Sequence, residues 1–289
     1  MKAHLKLLRP HQWSKNILVF AGWIFGGHVG QPALLLLDLA VFLIFCAISS
    51  AVYIFNDIVD RERDRRHPSK RNRPIASGEV SVPTAAVLGG GLALGALVGA
   101  WALGWSTLAC VLLYVGNNLL YSLFFKHIAV IDVLSIAFGF ILRLLAGIYV
   151  FGDLPTSWAV LCVLFLALFL AIAKRRAEMH NLTAQGISQR PVLSGYTIDY
   201  LDSLLNSAAT MAILCYALFT VTSGKNPTLV VTLPIVYYAV MHYKRIVMVR
   251  QDGEEPEKIL VKERRILALI LLWLVAYVII DYGNVHLFR

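Results

Sequence analysis

The sequence predicts an all-α polytopic membrane protein with nine transmembrane helices, and three observations carry that reading. Of 289 residues, 58% are hydrophobic and 15% charged, and mean hydropathy is +0.70; a soluble domain is nearer one quarter charged. Apolar runs of spanning length recur, each closed by a short polar break. Lys and Arg gather in alternate breaks, as they do on the cytoplasmic side of membrane proteins. Nothing marks an appended soluble domain, so residues 1–289 read as a single membrane domain.

The spans fall at about 17–36, 37–55, 82–103, 105–125, 128–151, 157–173, 200–222, 228–242 and 266–286. The first is split near Gly26-Gly27, and Gly30-Gln31-Pro32 is the turn before the second. With nine spans and the N-terminus inside, the breaks 1–16, 56–81, 126–127, 174–199 and 243–265 hold 23 of the 26 Lys and Arg. Lys225 and Arg289 face the other side, and Arg143 lies within a span. That split places the N-terminus in the cytoplasm. The formal net charge of +9 is therefore a topology signal, with attraction to anionic lipid as a second effect. No nucleic-acid motif accompanies it. Trp101, Trp105 and Trp158 sit at outer ends and Trp13 at the inner start of the first span, as interfacial aromatics do. Residues 1–16 are polar and no small-residue cleavage site follows, so no cleavable signal peptide is expected. Cys46, Cys110, Cys162 and Cys215 all lie in spans without metal spacing and read as small apolar fillers.

The unusual polar residues lie on the predicted cytoplasmic side. Arg9-Pro10-His11-Gln12-Trp13-Ser14-Lys15-Asn16 leads into the first span, where Lys15 either snorkels or binds an anion. The second span ends in Asn56-Asp57-Ile58-Val59-Asp60-Arg61-Glu62-Arg63-Asp64. On a continuous helix, Asn56, Asp60 and Asp64 stand at i, i+4 and i+8 and share one face. An amide oxygen and carboxylates so placed suit a hard, partly hydrated cation such as Mg²⁺, whose other positions go to substrate phosphates. The plain alternative is a solvated helix end. Arg65, Arg66, Lys70, Arg71 and Arg73 follow and complement phosphate charge, while Pro68, Pro74 and Gly78 predict a structured turn. Tyr121 and Lys126 close the fourth span. Asp132 and Arg143 lie in the fifth, where ionisable groups are costly and face the protein interior. Asp132 is near the cytoplasmic end, and Arg143 is deeper, placed to pair with a neighbouring helix. Lys174-Arg175-Arg176-Ala177-Glu178 ends the sixth span; Lys174 and Glu178 make an ordinary i, i+4 pair, and the run supplies positive charge for a second anionic group.

The nine spans, Asn56-Asp57-x-x-Asp60-x-x-x-Asp64, Arg73-Pro74-Ile75-Ala76-Ser77-Gly78, and Tyr121 with Lys126 together resemble the UbiA superfamily of intramembrane prenyltransferases over nearly the whole chain. The resemblance implies a UbiA-like bundle with its active site at the cytoplasmic face. Typical members carry a second Asp-rich motif after the sixth span, where this chain has Lys174 to Glu178 instead. That departure, with Arg9-Pro10-x-Gln12-Trp13-x-Lys15-Asn16, Ala51-Val52-Tyr53, His67-Pro68-x-Lys70-Arg71-x-Arg73-Pro74-Ile75-Ala76, Arg143-x-x-Ala146-Gly147 and Lys174-Arg175-x-Ala177-Glu178, resembles the decaprenyl-phosphate 5-phosphoribosyltransferase subgroup. It implies transfer of 5-phosphoribose from phosphoribosyl diphosphate to a polyprenyl phosphate in a bacterial inner membrane, with diphosphate released and the product feeding cell-envelope arabinan.

The roles expected under that resemblance are specific. Asn56, Asp60 and Asp64, with Asp57 in support, hold Mg²⁺ against the donor diphosphate and are the catalytic set. Lys70 and Arg73 clamp phosphate oxygens, and Lys15, Tyr121, Lys126, Lys174 and Arg175 bind substrate phosphates. A homo-oligomer is compatible with the sequence. Two other readings stand beside this one: a Mg-dependent UbiA enzyme moving a prenyl group to an aromatic acceptor, and a membrane transporter or lipid-binding protein.

Overall fold

The computed structural model describes residues 2–66, 70–185 and 191–287, so His67, Pro68 and Arg289 lie outside the described residues. Those described are helical, with no strand among them. This is the expected result for a chain in hydrocarbon, where each backbone N–H and C=O must be satisfied within its own segment. The helices in order are α1 (Lys2–Leu8), α2 (Ala21–Phe25), α3 (Leu35–Val59), α4 (Arg61–Arg66), α5 (Val82–Leu103), α6 (Trp105–Leu123), α7 (Ile131–Tyr149), α8 (Ser157–Gln185), α9 (Ile198–Thr222), α10 (Leu233–Val249), α11 (Pro256–Lys262) and α12 (Arg264–Tyr282).

Seven helical segments among the described residues are long and apolar enough to cross a membrane: 32–59, 82–103, 105–123, 131–149, 157–182, 198–222 and 264–282. The expected spans 17–36 and 228–242 are built differently. The first is a 3₁₀ run, Pro10–Phe20, continued by the five residues of α2 and broken by Gly27 at φ +89. The second is a short 3₁₀ turn, Pro227–Thr232, followed by the 17 residues of α10. Prolines at the starts of both segments interrupt the i→i−4 ladder and explain the irregular opening turns.

The chain divides into two compact units, 1–122 with 142–154, and 123–141 with 155–289. In the first, α3 packs along α5, where Gly89 and Gly99 let Ile54 and Ile44 approach. The tightest approach is between Gly22 of α2 and Gly147 of α7. A Cβ on Gly147 would stand 1.9 Å from the Val19 carbonyl oxygen, and one on Gly22 2.0 Å from the Gly147 carbonyl oxygen. Only glycine allows that contact. It fixes the Pro10–Phe20 segment against α7. Two apolar clusters fill this unit, one around Phe45, Val111 and Leu142, the other formed by Leu7, Ile54, Ile75, Val80 and Ala85. In the second unit α8 packs along α9 over a core that includes Phe169, Leu201, Leu205 and Tyr243.

Candidate active site

In the first unit, charge concentrates where α3 ends. The helix stops at Val59 and Asp60 is its C-cap (φ −85, ψ 3), so α3 and α4 are not one continuous helix. The backbone nevertheless keeps the i→i−4 pattern, because the Asp60 N–H donates to the Asn56 carbonyl at 2.9 Å and the Asp64 N–H to the Asp60 carbonyl at 2.8 Å. The expected spacing of Asn56, Asp60 and Asp64 therefore survives the break.

Two of the carboxylates are deeply buried, Asp57 at 3% exposure and Asp64 at 1%. Burying carboxylates is costly unless they are paired, and arginines from both flanking segments pair them. Arg9 Nη2 donates to Asp57 Oδ1 at 2.6 Å. Arg73 Nη1 donates to the same oxygen at 3.0 Å and to Asp64 Oδ2 at 2.6 Å. Asp60 lies nearer solvent and pairs with Arg63 at 2.6 Å. Asn56 Oδ1 accepts from Ser122 Oγ at 2.8 Å.

Local sequence explains how both arginines arrive there. In the Arg73–Gly78 motif, Ile75 and Ala76 are buried, Ile75 in the cluster with Leu7 and Ile54. The Val80 N–H donates to the Pro74 carbonyl, and Gly78 turns the chain at φ +84. The motif is thus an anchored turn that fixes Arg73. Arg9 stands in the left-handed region at φ +52, directly before Pro10. That conformation costs about 1–2 kcal/mol for a non-glycine residue, and it aims the Arg9 guanidinium at Asp57 and over the Tyr53 ring, 4.9 Å from its centroid.

The polar chain continues along the Pro10–Phe20 segment. Gln12 Oε1 accepts from Lys15 Nζ at 2.5 Å and from the Tyr53 hydroxyl at 3.5 Å. Asn16 Oδ1 accepts from Arg143 Nε at 2.7 Å, and Arg143 Nη2 donates to the Tyr114 hydroxyl at 3.0 Å. Arg143 does pair with neighbouring segments, as its depth in the fifth span predicts. Tyr121 is half-buried one residue before Ser122, and the half-buried Lys70 accepts the Arg73 N–H on its carbonyl.

The second unit holds Lys126, Lys174 and Arg175. Lys126 lies in the turn Phe125–His127 and is half-buried, as is Lys174. Arg175 is 2% exposed and lies between two carboxylates, donating from Nε to Asp132 Oδ2 at 2.6 Å and from Nη1 to Glu178 Oε2 at 2.7 Å. Asp132 also accepts from the Tyr196 hydroxyl at 2.7 Å. Burial, followed by that hydrogen bond, pushes the Tyr196 phenol well above its ordinary range and keeps it a donor. Arg176 pairs with Asp202 at 2.5 Å and donates to the Val247 carbonyl at 3.1 Å. In this structure, then, Arg73 and Arg175 serve protein carboxylates.

No three His, Cys, Asp or Glu side chains among the described residues converge as a preformed metal cage. Arg9, Arg63 and Arg73 pair with Asp57, Asp60 and Asp64 there. The donor set still fits a hard ion. Asp64 Oδ1 is buried and accepts no hydrogen bond, a state that costs an acceptor about 1–3 kcal/mol and that a cation would relieve. Asp60 and the Asn56 amide oxygen are one and two turns away along the chain. Sequence spacing found the carboxylates but missed Arg9, Ser122 and Tyr196. Arg9 carried a signal, an arginine before proline at the start of a span; the other two carried none.

Comparison with known proteins gives the family and the fold. A family model described as the UbiA prenyltransferase family matches residues 16–269. The decaprenyl-phosphate phosphoribosyltransferase of Mycolicibacterium smegmatis is 34% identical over 93% of this chain and 89% of that protein. The enzyme of the same name from Corynebacterium glutamicum is 33% identical over 96% and 86%. In fold, the chain is similar to a UbiA homolog from Archaeoglobus fulgidus solved with GPP and Mg²⁺, with a TM-score of 0.74 at 23% identity over 95% of this chain and 99% of that one.

Proposed function

Because the chain belongs to the UbiA prenyltransferase family, a family of multi-pass membrane transferases, we propose that it transfers 5-phosphoribose from 5-phosphoribosyl 1-diphosphate to a polyprenyl phosphate such as decaprenyl phosphate. Diphosphate leaves, and the lipid-linked sugar supplies cell-envelope arabinan. The reading assigns residues 1–289 to one catalytic domain. It keeps nine membrane crossings, counting the segments at 17–36 and 228–242, with the N-terminus and the site at the cytoplasmic face of a bacterial inner membrane. The 23-of-26 gathering of Lys and Arg supports that orientation.

One observation carries the choice of substrates. The end of α3 is a carboxylate cluster bridged by arginine, whereas the C-terminal half of α8 carries an arginine held between carboxylates. A single carboxylate cradle suits a single metal–diphosphate, and a second motif built on Lys174, Arg175 and Arg176 in place of further aspartates suits an acceptor that brings its own phosphate. The phosphoribosyltransferase relatives match this chain over nearly its whole length.

The residues divide the work as follows. Asn56, Asp60 and Asp64, with Asp57 in support, would hold Mg²⁺. Bound there, it would offset charge on the departing diphosphate. Arg73 and Lys70 clamp phosphate oxygens, and Lys15 and Tyr121 extend the polar lining of the first unit toward substrate phosphate. Lys126 and Lys174 bind phosphate in the second unit, where Arg175 keeps the motif in place through Asp132 and Glu178. The ribose C1–O bond to diphosphate breaks as a lipid-phosphate oxygen bonds to C1. That oxygen is already anionic near neutral pH, so positioning and electrostatics suffice without a strong base.

The test uses purified protein, Mg²⁺, labelled phosphoribosyl diphosphate and polyprenyl phosphate. Lipid-linked phosphoribose is the expected product, and its absence refutes the assignment. A parallel arm with a prenyl diphosphate and an aromatic acid should stay silent; turnover there would establish the ordinary prenyltransferase reading.

A further inference from the structure

Asp57, Asp60 and Asp64 face the guanidinium groups of Arg9, Arg73 and Arg63, so the cluster is internally neutral before any ligand arrives. The two arginines that reach the buried carboxylates differ in how they are held. Arg9 is braced by the Tyr53 ring as well as by Asp57. Arg73 bridges Asp57 and Asp64 through one nitrogen, Nη1, and its side chain remains 28% exposed. It occupies Asp64 Oδ2 while Oδ1 of the same carboxylate stays buried and unpartnered. A guanidinium there stands where a metal ligand set needs positive charge, and it can leave toward solvent.

We propose that Arg73 is an exchangeable placeholder cation. It holds Asp57 and Asp64 in register before the donor binds, then passes its guanidinium to the donor diphosphate as metal and donor enter together. The inference rests on the metal–diphosphate reading of Asn56 to Asp64 and adds an order of binding to it. A divalent ion alone meets Arg9, Arg63 and Arg73 without a compensating anion, so it binds weakly. With diphosphate present, the anion draws Arg73 off the carboxylates and frees them for the metal. Coupling between the two ligands is reciprocal.

The experiment measures binding of Mn²⁺ by electron paramagnetic resonance in the purified full chain, alone and with inorganic pyrophosphate, for wild type, R73Q and R73K. A unit charge about 6 Å from a divalent ion changes its affinity about ten-fold even at the dielectric constant of water. R73Q should therefore bind Mn²⁺ alone about ten-fold tighter than wild type or better, and bind pyrophosphate more weakly at saturating Mn²⁺. R73K keeps the charge and should match wild type for Mn²⁺ alone, but lose pyrophosphate affinity with the fork. Should R73Q fail to fold, the R73K pair of measurements decides. If R73Q binds Mn²⁺ alone no tighter than wild type, while wild type still binds Mn²⁺ with pyrophosphate, Arg73 is a fixed brace and the placeholder fails alone. If wild type binds no Mn²⁺ even with pyrophosphate, the metal–diphosphate reading fails with it.

Discussion

Asp57→Asn and Asp60→Asn should separate the scaffold from the chemistry, although the two carboxylates are three residues apart. Asp57 is 3% exposed and accepts two charge-assisted hydrogen bonds, from Arg9 at 2.6 Å and from Arg73 at 3.0 Å. Its amide replacement keeps the volume but removes the charge that neutralises Arg9. Hydrogen bonds to charged groups are worth about 1.5–3 kcal/mol each. Arg73 retains Asp64, and both arginines are partly exposed and can rehydrate, so a net loss of about 3 kcal/mol is expected. At about 2–4 °C per kcal/mol for a chain of this size, the melting temperature should fall by about 6–12 °C. Asp60 pairs only with the exposed Arg63 among the described ion pairs, and such pairs contribute little. Asp60→Asn should melt like wild type and lose turnover. The chain provides its own reporter, because the buried free thiols Cys46, Cys110 and Cys215 become open to a thiol-reactive dye on unfolding, above a constant signal from the half-buried Cys162. A wild-type melting curve for Asp57→Asn would refute the scaffold role and leave Asp57 only its supporting share in holding the metal.

The same thiol-dye assay checks three further expectations. Arg175→Met strands Asp132 and Glu178 and should cost about 3–5 kcal/mol, a loss that Glu178→Gln alone does not reproduce. Ile75→Ala should cost about 2–4 kcal/mol by opening a cavity beside Leu7 and Ile54, and should lower donor affinity because the turn that carries Arg73 loosens. Gly147→Ala must move backbone, since the new Cβ would meet the Val19 carbonyl oxygen at 1.9 Å; a destabilisation above about 3 kcal/mol is expected, beyond the usual overpacking cost.

The fold was legible where composition and periodicity dominate. α3, α5, α6, α7, α8, α9 and α12 are each long and apolar, and lipid leaves such segments no alternative to helix. It was illegible at 10–34 and 227–232, where hydropathy is high but prolines and glycines force 3₁₀ turns and breaks. Hydropathy reports solvent preference, not ladder geometry. The carboxylate spacing was legible because chain periodicity sets it. The partners were not: Arg9 lies 48 residues from Asp57, and Ser122 lies 66 from Asn56. Such long-range pairs depend on packing, in particular on Ile75 and Gly147, whose roles no local pattern states.

The contrast between the aspartates at the end of α3 and the basic run Lys174-Arg175-Arg176 in α8, each paired within the protein, supports the substrate assignment more firmly than either motif alone. A buried arginine between Asp132 and Glu178 cannot take a metal, since it already supplies the cation those carboxylates require. Converting that motif to a metal site would need Arg175 removed. Arg175→Asn, with Glu178 and Asp132 retained, should therefore gain Mn²⁺ binding in the second unit while losing transfer to polyprenyl phosphate. If that variant gains no Mn²⁺ and keeps full transfer, Arg175 has no part in acceptor choice, and the substrate assignment rests on sequence similarity alone.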